Sequence, residues 1–206
     1  MGLGSARMDE QSDCERDTLA ISDVATMRAF THPLRSRIMW ALREQGPATA
    51  TGLAQSLGES SGLMSYHLRH LEKHGLVVED TERGRKRERW WRLAAAHFLF
   101  PEPDERTPEY EAELDRVRDR ILEIDAAAVA DFIATESSYS PEWRDASLFL
   151  TAVIHVTPEE LTKLHAEFGR VLEPWYRLDV ETRPPDALPV RCAIRAVPTG
   201  SPPDAQ

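Results

Sequence analysis

The sequence predicts a mostly helical α+β chain built in three parts. Short helical patterns close with a two-stranded ribbon before residue 97, a long helix carries one apolar seam, and a strand-helix-strand pattern follows. Charge separates the first part from the rest. Residues 28–92 hold twelve Lys/Arg against seven Asp/Glu, a net +5, in a chain of net −10, which leaves −15 on the remainder. A basic island in an acidic protein is the footprint expected when one region meets a polyanion and the others do not.

The elements follow in order from local chemistry. Residues 1–20 are polar and mixed in charge and read as a disordered tail; Val24, Met27 and Phe30 then set a short helix from Asp23 to Phe30. His32-Pro33 ends it, and Pro33 suits the first turn of the next helix, which runs through Leu34, Ile38 and Leu42 to the terminator pair Gly46-Pro47. Thr49 caps a short helix with Leu53, Ala54 and Leu57 inward, ended by Gly58. Ser60 and Ser61 cap a helix from Gly62 to His74, closed by Gly75. Val77-Val78 opens a strand, Glu82-Arg83-Gly84 turns it, and Arg89 to Leu93 returns. Trp90 and Trp91 alternate across that strand, so one belongs in the core and the other at the surface.

After a proline-rich connector, Thr107-Pro108-Glu109 starts a long helix to about Thr135. Tyr110, Leu114, Val117, Ile121, Ile124 and Ala128 alternate steps of four and three, the seam of a coiled coil, and are read as a homodimer interface in preference to packing on the chain's own domain. Residues 148–156 (LFLTAVIHV) read as a strand. Thr157-Pro158-Glu159-Glu160 is a capping box opening a helix with Leu161, Leu164, Phe168, Val171, Leu172 and Trp175 inside, and Val190 to Val197 reads as a second strand. The boundaries expected are a tail at 1–20, a first domain at 21–97, connector and long helix at 98–140, a small α+β module at 141–197 and a tail at 198–206.

No apolar run approaches the roughly 20 residues of a membrane helix. The first twenty residues lack the apolar stretch of a secretory signal, so a cytoplasmic protein is expected, with Cys14 and Cys192 reduced. No P-loop, dinucleotide glycine fingerprint, nucleophile elbow or zincin motif occurs, so neither enzyme activity nor a cofactor is expected.

Three helices and a basic-tipped ribbon are the layout of a winged helix-turn-helix module. On the helix 62–74, Met64, Leu68 and Leu71 point to a core, while Gly62, Ser65, Tyr66, Arg69 and Lys73 share the opposite face. Small residues at its start let DNA approach, and Tyr66 and Arg69 can reach bases or phosphates. Arg83, Arg85, Lys86 and Arg87 in the turn suit phosphate or minor-groove contact. His70 and His74 have the spacing of a metal pair, but the local motif offers no carboxylate or thiol, and packing or DNA contact is the preferred reading.

The stretch LGESSGLMSYHLRHLEKHGLVVEDTERGRKRERWWRL resembles ArsR-type winged-helix transcriptional regulators. The motif positions are Leu57-Gly58, Ser65, His67-Leu68, Leu71, Gly75-Leu76-Val77, Gly84-Arg85 and Trp91-Arg92-Leu93, with His32-Pro33-Leu34-Arg35 resembling the opening signature. The resemblance covers about a third of the chain. It implies dimers on palindromic double-stranded operators, with DNA contacts at Ser60, Ser61, Gly62, Ser65, Tyr66 and His67 and wing contacts at Arg85 and Lys86. The Cys-x-Cys pair of the metal-sensing branch has no counterpart between Thr49 and Leu57, so no metal is expected, and the acidic extension resembles the larger branch with an added module. The function expected is a dimeric, sequence-specific regulator, a repressor. The rival is a sensor whose C-terminal module binds a small-molecule or protein effector, with Trp143, Phe149, His155, Trp175 and Tyr176 as candidate pocket residues.

Overall fold

The computed structural model describes residues 18–83, 88–101, 107–176 and 180–200. In order these form β1 (Thr18–Ala20), α1 (Val24–Thr31), α2 (Pro33–Gln45), β2 (Ala48–Thr49), α3 (Ala50–Leu57), α4 (Ser61–Lys73), β3 (Val77–Glu79), β4 (Trp90–Leu93), β5 (His97–Leu99), α5 (Pro108–Thr135), α6 (Pro141–Ala146) and α7 (Pro158–Leu172), with short 3-10 turns between. The chain is mostly helical with small sheets.

Side-chain caps set the helix starts. Asp23 accepts from the Thr26 N–H at 2.8 Å, Thr49 from Gly52 at 3.1 Å, Ser60 from Leu63 at 3.2 Å, and Thr107 from Tyr110 at 3.2 Å. Gly58 ends α3 at φ 71°, a left-handed conformation a side chain would resist. His32 holds the α1–α2 corner. Its Nδ1 accepts from the Leu34 N–H at 3.2 Å, and the buried Arg35 donates to the carbonyls of Ala29 and Arg28, each at 2.8 Å, closing the end of α1.

The core is formed by α1 to α4, Leu76, Val77 and Trp91. A three-stranded sheet ordered β2-β4-β3 closes it, with Val77 opposite Leu93 and Ala48 opposite Trp91. Trp91 is buried and Trp90 half-buried, as strand alternation requires. A second pair, β1 with β5, is parallel and brings Leu19 opposite Phe98. Thr18–Ala20 therefore belongs to the fold and not to a tail; residues 1–17 and 201–206 lie outside the described residues.

The first half of α5 is part of this domain. Tyr110, Leu114 and Val117 are buried in the core, and Ile121 packs on its edge. Buried Glu113 accepts from Arg28 at 3.3 Å, Thr31 at 3.1 Å and Arg116 at 2.6 Å, while Arg120 donates to Ser36 at 2.8 Å and to the Pro33 carbonyl at 3.1 Å. The dimer seam expected at Tyr110, Leu114, Val117 and Ile121 is thus spent on the chain's own α1 and α2. Ile124 and Ala128 are half-buried. Beyond Ile121 a different stripe is open: Leu122, Ala126, Val129 and Ile133, again at steps of four and three.

The C-terminal part departs further from expectation. The capping box at Thr157 and Glu160 forms, and Leu161, Leu164, Phe168 and Leu172 of α7 are half-buried. Val171 and Trp175, expected inside, are exposed, and no strand occurs at 148–156 or 190–197. Neither segment meets a strand partner, and β propensity expresses itself only where a partner and a face to bury exist. The extension nonetheless returns to the first domain. Arg191 pairs with Asp125 at 3.3 Å and Glu44 at 2.7 Å and lies over the Trp40 ring at 4.0 Å; Arg195 also bonds Asp125. Among the described residues, no helix is long and apolar enough to cross a membrane.

Candidate nucleic-acid interface

α3, the Gly58 turn and α4 place one helix across the surface with two unlike faces. Met64, Leu68 and Leu71 are fully buried. On the other side Tyr66 is 62% exposed, Ser61, Gly62 and Arg69 are exposed, and Ser65 is half-exposed. Apolar residues at helical spacing fix that orientation, because turning the helix would expose three large side chains, each worth about 2 kcal/mol of burial.

Each expected contact residue has a definite place. Ser60 caps α4, and the Ser65 hydroxyl donates to the Ser61 carbonyl at 2.8 Å. No atom lies within 4 Å of a Cβ built on Gly62, so the helix start is open to close approach. Arg69 has no ion-pair partner among the described residues. His67 is the exception: at 6% exposure it faces the core and is removed from the contact row. Its imidazole is flat and largely apolar, and the helix turns that position toward α2.

The wing rises from β3 and β4, whose ladder extends to the Asp80 N–H on the Trp90 carbonyl at 2.8 Å. Arg83 sits at its base, 3.6 Å from both Asp80 and Glu181, so its charge is largely compensated. Arg85, Lys86 and Arg87 lie outside the described residues. Sequence reasoning missed a groove of about 220 Å³ between the start of α3, α4 and β4, where Arg69 and Arg89 meet Thr49, Thr51, Ser65 and Glu88. Arg89 was read only as the start of the returning strand; it stands one residue before β4, on the same side as Trp91, and is exposed.

Four imidazoles line the inner side of α4. The rings of His32 and His67 are 4.9 Å apart, and His70 stacks on His74 at 4.9 Å. His74 Nδ1 lies 3.3 Å from the Thr26 hydroxyl. Burial and the Arg35 charge push the His32 imidazole below its ordinary pKa of 6.5. Burial, the neighbouring imidazoles and Arg35 do the same to His67 and His70.

With this geometry in place, residues 30–80 match the family model of a helix-turn-helix domain. Three solved structures are similar over part of the chain. One is described as a possible transcriptional regulator for arsenical resistance (28% identical, covering 52% of this chain and 95% of its own, TM-score 0.31). A second is the homodimeric winged helix-turn-helix DNA-binding domain of a possible ArsR-family regulator from Mycobacterium bovis (20% identical, 63% and 92%, TM-score 0.32). A third is a transcriptional regulator from Thermotoga maritima (14% identical, 73% and 83%, TM-score 0.31). Superposition over the whole chain is poor in all three, so the domain match on residues 30–80 is what bears on function. No curated protein matches.

The residues proposed for an effector pocket do not come together. Phe149 sits beside Phe132 and Tyr176 beside His97, while Trp175 is exposed. A cavity of about 670 Å³ lies elsewhere, between Pro47, Asp80, Arg83 and Arg92 of the helix-turn-helix domain and its wing, and Val180 and Glu181 of the extension.

Proposed function

We propose that the chain is a dimeric, sequence-specific repressor whose α4 enters the major groove of a duplex operator. Ser60, Ser61 and Gly62 approach the backbone, Ser65, Tyr66 and Arg69 face the base edges, and the wing residues Arg83, Arg85, Lys86 and Arg87 take phosphates or the minor groove. The observation carrying this reading is the opposition on one helix of fully buried Met64, Leu68 and Leu71 to exposed Tyr66 and Arg69.

Two copies reading a palindrome need a self-matching surface, and the open stripe of Leu122, Ala126, Val129 and Ile133 supplies one, with Ala126 small enough for close helix approach. Half-sites then lie about one helical turn apart. Anisotropy titrations of the full chain on an operator found by genome-wide mapping, repeated along a salt series, test the reading. Arg69→Ala or Lys86→Ala weakens all duplexes and flattens the salt slope by about one unit per lost phosphate contact. A full chain indifferent to every duplex at low salt would overturn it.

A second reading is favoured by the cavity between wing and extension, where Glu181 reaches Arg83. An effector seated there competes with that ion pair and alters the wing. A thermal-shift screen reads it as raised stability with a matching change in DNA affinity.

A further inference from the structure

Four of the chain's seven histidines lie on the recognition helix or the corner that supports it. They form a row from His32 through His67 and His70 to His74, and its centre is poorly equipped to hold protons. The Nδ1 atoms of His67 and His70 are buried without a hydrogen-bond partner among the described residues. His32 Nδ1 is spent accepting the Leu34 N–H, so a proton there would set donor against donor and remove the cap of α2.

The charges facing the row are unequal. From α2, Arg35 lies against its middle, its Nε and Nη2 donating to the backbone carbonyls of Ala29 and Arg28. From α5, Arg120 faces His32, and on α4 itself Lys73 faces His70. Among the described residues the nearby carboxylates are already committed: Glu59, near His67, is engaged by Arg37 at 3.5 Å, and Asp23, near His74, caps α1. Tyr66 packs beside His67, its ring 5.1 Å away, on the DNA-facing side.

We propose that this histidine row makes the docking of α4 onto α2 proton-sensitive, so that mild acid loosens the recognition helix and releases operator DNA. The release rests on the DNA-binding reading above; the loosening does not. In the unfolded chain an imidazole takes its proton near pH 6.5, whereas the depressed imidazoles of the folded row take theirs only lower. Stability from the neutral row is therefore complete above about pH 6.5 and is lost as pH falls below it toward the folded values. This runs against simple electrostatics, in which protonated histidines beside DNA tighten binding as pH drops.

The test follows amide hydrogen exchange of α4 in the full chain without DNA, on either side of pH 6.5, beside duplex affinity at matched ionic strength. Protection of Leu68 and Leu71 is expected to fall by about tenfold more than that of β4, with operator affinity falling in parallel. In H67Q/H70Q both dependences flatten; should that variant fail to fold, H70Q alone, at a half-buried position, is expected to halve the logarithmic response. Acid-labile α4 without duplex binding at neutral pH upholds the proton gate and overturns the DNA reading instead. Protection that is unchanged by acid, or an acid response surviving both substitutions, overturns the gate.

Discussion

The two halves of this chain solve the problem of apolar surface in opposite ways. Every buried apolar residue among those described lies between Ile21 and Val117. Sixteen of the nineteen exposed large apolar residues lie from Leu122 onward, including Leu148, Phe149, Val153 and Trp175. The first half closes on itself with caps, a small sheet and a buried carboxylate. The second keeps helical amphipathicity and β-rich composition but finds little to cover either. Globular proteins rarely leave so much apolar surface open, and the proposed pairing of two copies would use part of it.

The largest test of that contrast strikes the core. Leu68→Ala, at a fully buried site on α4, is expected to cost about 3 kcal/mol in denaturant unfolding, with the helix-turn-helix domain losing cooperativity first. Glu113→Ala strands Arg28, Thr31 and Arg116 together and costs about 2 kcal/mol, separating the first half of α5 from α1. A cost near zero at Glu113 would mean that α5 is not part of the domain. Replacing Leu122, Val129 and Ile133 by Glu should do the reverse, leaving the unfolding midpoint nearly unchanged while sedimentation shows half the mass. Tyr66→Ala changes stability by less than about 0.5 kcal/mol but removes about 1–3 kcal/mol of discrimination at one base pair. Equal loss on operator and random duplex would reject base reading by Tyr66. Ser60→Ala is the mildest, about 1 kcal/mol from one helix cap.

Much of the first half was legible because its signals are local. Pro33, Gly46, Gly58 and Ser60 mark boundaries by their own backbone chemistry, and Met64, Leu68 and Leu71 state which way α4 faces. What was not legible is nonlocal. Thr18–Ala20 is a strand only because His97–Leu99 lies beside it, some eighty positions away. The seam on α5 was misread for a related reason. The helix offers two stripes with the same spacing, and periodicity cannot say which meets α1 and which is left over. His67 deceived in another way, since an imidazole is polar by type and yet flat and apolar enough to serve as core. At 148–156 and 190–197, composition favours strands that no neighbour completes.

One rod of 28 residues joins the two halves, about 42 Å long at 1.5 Å per residue. Its upper turns are clamped by Glu113 and Arg120, and its lower turns present Leu122 to Ile133. A rigid shaft of this kind transmits torque. Inserting a single alanine just after Arg120 swings the lower stripe through about 100° while leaving every capped and buried group above it in place. Were two copies to pair along that stripe, as proposed, its phase would set the angle and separation of their reading heads and so the one spacing of half-sites they accept.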